Sequence, residues 1–149
     1  MLILAADVGG TNSRFIAYAI DASHGHVTSA RGHQAPGKLV KSHKYMNQDF
    51  YSFEEIMRTF LASLGADQGK PVVACVAVAG PVANNKAELT NRATWPAIDG
   101  KALATAFGIA EVEIINDFVA MGYVHMHALH IDIDIDIHTI TLIYPPSRG

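Results

Sequence analysis

The sequence predicts one α/β domain on a mixed sheet, with three antiparallel and two parallel strands and helices on its faces. Three observations predict it. Apolar, strand-like runs follow one another from residue 2 to about residue 32 as a meander. A later run, Val72-Val73-Ala74-Cys75-Val76-Ala77-Val78-Ala79, is continuously apolar and rich in β-branched residues. That composition suits a strand covered on both faces, hence parallel and central. Helical periodicity stands before that run and again between it and a further strand at Glu111 to Ile115, the alternation expected of an α/β fold.

Leu2 to Val8 reads as a buried strand, Gly9-Gly10 turns the chain, and Ser13 to Ile20 returns antiparallel to it. Asp21 to Gly25 reads as a second turn and His26 to Gly32 as a third strand. The polar stretch from His33 to Asp49, broken by Pro36-Gly37, reads as loop and edge strand, and its cationic run Lys38, Lys41 and Lys44 reads as a solvated face, with contact to an anion as the alternative. Ser52-Phe53-Glu54-Glu55 has the capping-box pattern, so a helix is expected over 53–64. It would bury Phe53, Ile56, Met57, Phe60, Leu61 and Leu64, with Gly65 supplying a left-handed end.

Gly80-Pro81 ends the central strand sharply, and residues at the carboxyl ends of such strands line the crevice in which α/β proteins bind ligands. Asn84-Asn85 reads as a turn, Glu88 to Asn91 as a short extended piece and Trp95-Pro96 as an ordered loop. Asp99 is placed to cap a helix over 100–107 that Gly108 stops. Asn116-Asp117 then falls at the carboxyl end of the last strand, before the helix-like Phe118 to Tyr123.

The chain has 149 residues, half of them hydrophobic and 17% charged, which fits one folded domain. A net charge of -3 leaves no basic footprint for nucleic acid. No secretory pattern opens the chain and no apolar run reaches the roughly 18 residues of a membrane span. Cys75, the single cysteine, reads as a small buried hydrophobe in a reducing compartment. Together these point to a cytoplasmic protein that handles small molecules.

The stretch richest in chemistry is Asp7-Val8-Gly9-Gly10-Thr11-Asn12. Glycine allows positive φ and close backbone approach, so amide groups can converge on an anion, and Thr11 and Asn12 add side-chain donors. A carboxylate beside a phosphate is tolerated when a divalent cation lies between them, which gives Asp7 a reason to be there. The same residues also read as an ordinary tight hairpin. Asp117 likewise reads either as a helix cap or as a carboxylate facing the crevice.

Four motifs in order, Ala6-Asp7-Val8-Gly9-Gly10-Thr11-Asn12, Ala77-Val78-Ala79-Gly80-Pro81-Val82, Leu89-Thr90-Asn91 with Trp95, and Ile114-Ile115-Asn116-Asp117-Phe118, resemble the bacterial-type glucokinase family. The resemblance covers residues 2 to about 123, with Ala6 where many members have glycine. It implies a ribonuclease H-like (actin-like ATPase) domain and phosphorylation of glucose to glucose 6-phosphate by ATP. Asp7, Gly9, Gly10, Thr11 and Asn12 would then hold ATP, with Asp7 toward Mg2+. Asn116 and Asp117 would bind the sugar, with Asp117 the general base for the 6-hydroxyl. A carboxylate, ionised at neutral pH, suits that role. The partners implied are glucose and ATP, and the full-length family admits a homodimer. The alternative is a catalytically inactive fragment that at most binds sugar or nucleotide.

Residues 124–149 fall outside the resemblance and read as a divergent, low-complexity tail. His125, His127 and His130 lack the second cluster expected of a metal site. Asp132, Asp134 and Asp136 copy the opening of a calcium loop, but Ile137 replaces its turn glycine and Ile143 its bidentate acid.

Overall fold

The computed structural model describes residues 1–20, 27–28, 34–35, 37–90 and 92–120. Five strands form the main sheet: β1 (Leu2–Val8), β2 (Asn12–Ala19), β3 (Lys38–Met46), β4 (Pro71–Val78) and β5 (Glu111–Asn116). Their order across the sheet is β5-β4-β1-β2-β3. β1, β2 and β3 pair antiparallel, while β4 lies parallel to β1 and β5 parallel to β4. The third strand of the sheet is thus Lys38–Met46. Val27–Thr28, in the stretch expected to be that strand, pairs instead with Gln34–Ala35 in a separate two-stranded ladder. The Asp21 to Gly25 turn lies outside the described residues.

Helix α1 (Phe53–Ala62) starts where the capping box places it. Ser52 Oγ accepts the Glu55 N–H at 3.1 Å, and Glu55 Oε2 accepts the N–H of Tyr51, one residue before the cap, at 2.9 Å. It ends earlier than expected: Ser63 is the C-cap, and Gly65, with φ of 7°, supplies no left-handed turn. Helix α2 (Gly100–Phe107) is capped by the Asp99 carboxylate, which accepts from the N–H groups of Lys101 and Ala102. Gly108 stops it in the left-handed conformation, φ 64° and ψ 36°.

Both helices lie on the same face of the sheet. Phe53, Ile56, Met57 and Phe60 of α1 and Leu103 of α2 join Leu2, Leu4, Ala6, Val8, Phe15, Ala74, Val76 and Val112 in one core, and the Arg58 guanidinium sits 5.1 Å from the centre of the Phe107 ring. On the opposite face Ile3 and Cys75 form a smaller cluster with Tyr18, Ile20, Val73 and Ile115. Burial, with Glu113 beside it, pushes the Cys75 thiol up to about 12, as befits a buried cysteine that packs rather than reacts.

Asn84 and Asn85, at φ 52° and 60°, make the expected turn between Val82–Ala83 and Lys86–Ala87, and Lys86–Ala87 pairs in turn with Ile98–Asp99. The extended piece expected at Glu88 to Asn91 is not found among the described residues: the strand ends at Ala87, and the Leu89 carbonyl accepts the Arg92 N–H at 3.0 Å in a turn. Asn85 braces the last strand, donating Nδ2 to the Val112 carbonyl at 2.8 Å and accepting the Ile114 N–H on Oδ1 at 2.7 Å. Lys86 and Asp99 face each other in register with a 2.7 Å ion pair.

The hydrogen bond from Lys86, then that from the Ala102 N–H, holds the Asp99 carboxyl below the usual carboxylate range. A depressed folded-state pKa adds stability above the unfolded-state value and loses it as pH falls through the folded-state value. Asp99→Asn is therefore expected to flatten the acid limb of stability against pH by lowering stability at neutral pH and changing it least at the acid end. Urea midpoints measured from pH 6 down to pH 2 check this, and an acid limb identical to wild type would remove Asp99 from it.

Candidate functional site

The glycine hairpin is built by β1 and β2, whose register pairs Val8 with Ser13 and Asp7 with Arg14. Strand alternation puts Leu2, Leu4, Ala6 and Val8 against the helices, so Asp7 projects from the opposite face and is exposed. The same register continues to β3, where Lys44 stands opposite Arg14. Lys44, Arg14 and Asp7 thus form one row across three strands. With Gly9, Gly10, Thr11 and Asn12 they line an open cleft of about 480 Å³. The expected hairpin residues are all brought together there.

The hydrogen bonds of this hairpin are asymmetric. Gly9 O accepts from Asn47 Nδ2 at 2.8 Å, Gly10 O from Arg92 Nε at 3.1 Å, Thr11 O from the Asn47 N–H at 2.8 Å, and Asn12 O from the Gly9 N–H at 2.9 Å. All four carbonyls are satisfied. The N–H groups of Gly10 and Thr11, by contrast, have no acceptor among the described residues. Asn12 Oδ1 is enclosed and also lacks a partner among them. Two free donors beside two cationic side chains form a concavity for an anion.

The glycines serve this differently from the expectation. Neither Gly9 nor Gly10 has a positive φ. A Cβ on Gly9 would come no nearer than 3.5 Å to the chain, at Asn12 O. Its missing side chain therefore spares room in the cleft rather than relieving the backbone.

The second pair of expected residues stands apart from the cleft. Val8, Val78 and Asn116 lie in one register row, so the carboxyl ends of β1, β4 and β5 finish level. Asn116 Nδ2 donates to Gly80 O at 2.6 Å, and its Oδ1 accepts the Phe118 N–H at 2.9 Å. Asn116, not Asp117, thereby caps the helical turn at residues 117–120. Among the described residues its amide keeps one donor and one acceptor site unused. Asp117, half-buried, accepts only the neighbouring Phe118 N–H among the described residues. Gly80, whose carbonyl holds Asn116, has no room for a side chain, because a Cβ there would lie 2.7 Å from the Glu88 carbonyl oxygen.

Arg14, Lys44, Asn47 and Arg92 were not legible as site residues from the motifs alone. One signal existed: a two-residue loop at Gly10-Thr11 fixes Asp7 opposite Arg14 by counting. Lys44, read as part of a solvated face, required the position of β3. Asn47 and Arg92 reach the hairpin over 38 and 82 residues of sequence.

Among solved structures, the fold matches those of sugar kinases. A glucokinase from an Antarctic psychrotroph matches with a TM-score of 0.63 at 35% identity, over 82% of this chain and 34% of that one. A glucokinase from Balamuthia mandrillaris, solved in complex with glucose, shares the fold at TM-score 0.54 and 19% identity, over 87% of this chain and 33% of that one. The chain belongs to the glucokinase family, whose model matches residues 4–133. The glucokinase of Nostoc punctiforme is 34% identical over 122 residues, 82% of this chain and 31% of the relative. The chain thus spans about a third of the length of the curated relatives it matches.

Proposed function

We propose that residues 1–123 are the N-terminal part of a cytoplasmic, ATP-dependent glucokinase, a ribonuclease H-like (actin-like ATPase) domain followed by a divergent tail at 124–149. The observation that carries this reading is the hairpin whose carbonyls are all engaged while the Gly10 and Thr11 amides have no acceptor among the described residues and stand beside Arg14 and Lys44. The donor set suits a polyphosphate, and the exposed Asp7 carboxylate in the same row suits a divalent cation held mainly by that phosphate. Among the described residues no cluster of three metal-ligating side chains competes for that role. The histidine and aspartate runs of the tail lie outside the described residues.

Mg-ATP, when bound, supplies the phosphoryl group and a cation that offsets its charge. The hairpin amides, Arg14 and Lys44 orient the phosphates and oppose the charge that develops on the leaving side. Asn116 offers its spare donor and acceptor to sugar hydroxyls, and Asp117 takes the proton of the 6-hydroxyl as its oxygen attacks. The level ends of β1, β4 and β5 set the two groups of residues side by side.

A second reading is favoured by the span of the match. These 149 residues supply one wall of a cleft, and catalysis by positioning needs both. By themselves they are expected to bind without turnover. Calorimetry of Mg-ATP with the 149-residue chain is expected to give a saturable heat, weakened about a hundredfold or more in the double variant Arg14→Ala/Lys44→Ala, since each charge-assisted contact is worth roughly 1.5–3 kcal/mol. Absence of binding by the wild-type chain would defeat the phosphate assignment. Glucose phosphorylation in a coupled assay of the chain alone would defeat the reading as a silent wall.

A further inference from the structure

The geometry points to Asn47 and Arg92 as positioning residues, each aiming one of the two free amides of the hairpin at the phosphate; this inference rests on the phosphate reading of that hairpin. In a trans peptide unit the carbonyl oxygen and the following N–H point in opposite directions within one plane, so pinning the oxygen sets where the N–H points. The Gly9 carbonyl shares its peptide plane with the Gly10 N–H, and Asn47 Nδ2 pins it at 2.8 Å. The Gly10 carbonyl shares its plane with the Thr11 N–H, and Arg92 Nε pins it at 3.1 Å. Each free amide therefore has its own anchor, and the anchors come from different parts of the chain.

Both anchors are themselves held. Asn47 is fully buried, in the short turn Asn47–Asp49 that follows β3. Its Oδ1 accepts from the equally buried Ser13 Oγ at 2.7 Å, and its own N–H donates to Thr11 O at 2.8 Å. A buried amide with donor and acceptor both engaged is fixed in one orientation. Arg92 lies with its guanidinium 5.3 Å from the centre of the Trp95 ring, and Trp95 Nε1 donates to Phe50 O at 3.1 Å. The guanidinium lies over that ring while Nε reaches the hairpin, a geometry a lysine does not reproduce. The arrangement replaces the side-chain bulk that Gly9 and Gly10 lack: the loop stays open to a ligand, and its stiffness is imported from residues outside it.

The test is nitrogen-15 relaxation on the 149-residue chain without ligand, followed by titration with Mg-ATP. In wild type the Gly10 and Thr11 amides are expected to be ordered, with order parameters of about 0.85. Arg92→Ala is expected to drop Thr11 below about 0.6 while sparing Gly10, and Asn47→Ala the reverse. Arg92→Lys is expected to behave as Arg92→Ala. Because Asn47→Ala removes a buried amide, Ser13→Ala provides a milder variant, expected to loosen Gly10 partially. Each variant is expected to weaken Mg-ATP binding about tenfold without altering the β4–β5 amide signals. Two amides that stay ordered in both variants, or variants that bind Mg-ATP as tightly as wild type, would overturn the inference. No Mg-ATP response in wild type would overturn the phosphate reading and the positioning role with it, and the ligand-free relaxation data would then show whether the anchors order the amides at all.

Discussion

Truncating Phe15 to alanine is expected to remove about 3–5 kcal/mol of stability, the range for a buried aromatic lost from a close-packed core. Phe15 is fully buried on β2, two residues beyond the buried Ser13. Its ring stacks on Phe53 and Phe60 of α1 at centroid distances of 5.3 and 5.2 Å and meets Tyr45 of β3 edge-on at 6.1 Å. One side chain therefore joins the meander to the first helix, and alanine would leave a hole that three aromatic neighbours cannot all close. Small domains are stable by about 5–15 kcal/mol, so the loss is a large share of the total. A guanidinium titration should show a lower midpoint with an unchanged slope. A loss under about 1 kcal/mol would mean that the aromatic cluster is not the core of the domain.

Replacing Asp117 with alanine or asparagine is expected to lower kcat by about 10²- to 10⁴-fold in an enzyme completed by joining residues 1–123 to the remaining two-thirds of the Nostoc punctiforme relative. That corresponds to about 2.7–5.5 kcal/mol of barrier. Asp117 makes no long-range hydrogen bond among the described residues, accepting only from Phe118, so its removal should cost little stability. The KM for ATP should hold, because the hairpin sits two strands away. Asn116 is a different case: its amide ties Gly80 and caps the following turn, so Asn116→Ala should lose stability as well as turnover. Undiminished turnover in both Asp117 variants would strip that residue of its role as base.

Local chemistry was legible where a few neighbouring residues decide the structure. The Ser52 and Asp99 caps, the Gly108 stop, the Asn84-Asn85 turn and the buried β4 all follow from short-range rules and appear in the structure. The third strand of the sheet was harder to read. Lys38–Met46 has only half-buried and exposed positions, so it carries no strong apolar pattern, and its place is fixed by pairing with β2. That the helices share one face was equally hidden, since periodicity shows that a helix has an apolar side but not which side of a sheet receives it. Within the site, the hairpin and Asn116-Asp117 announce themselves as motifs. Asn47 and Arg92 do not, because a buried asparagine in a turn and an arginine in a loop gain meaning only when the fold brings them 38 and 82 residues back to the successive carbonyls of Gly9 and Gly10.

The level finish of β1, β4 and β5 makes the sheet a fixed gauge. Hydrogen-bonded neighbours are spaced about 4.8 Å apart, so the hairpin end of β1 and the Asn116 end of β5 are held about 10 Å apart by two ladders of backbone bonds. No change of side-chain rotamer within this domain alters that spacing, which is set by backbone pairing alone. A donor seated at one mark and an acceptor at the other would be brought into line by whatever approaches from outside, with the ruler itself unmoved.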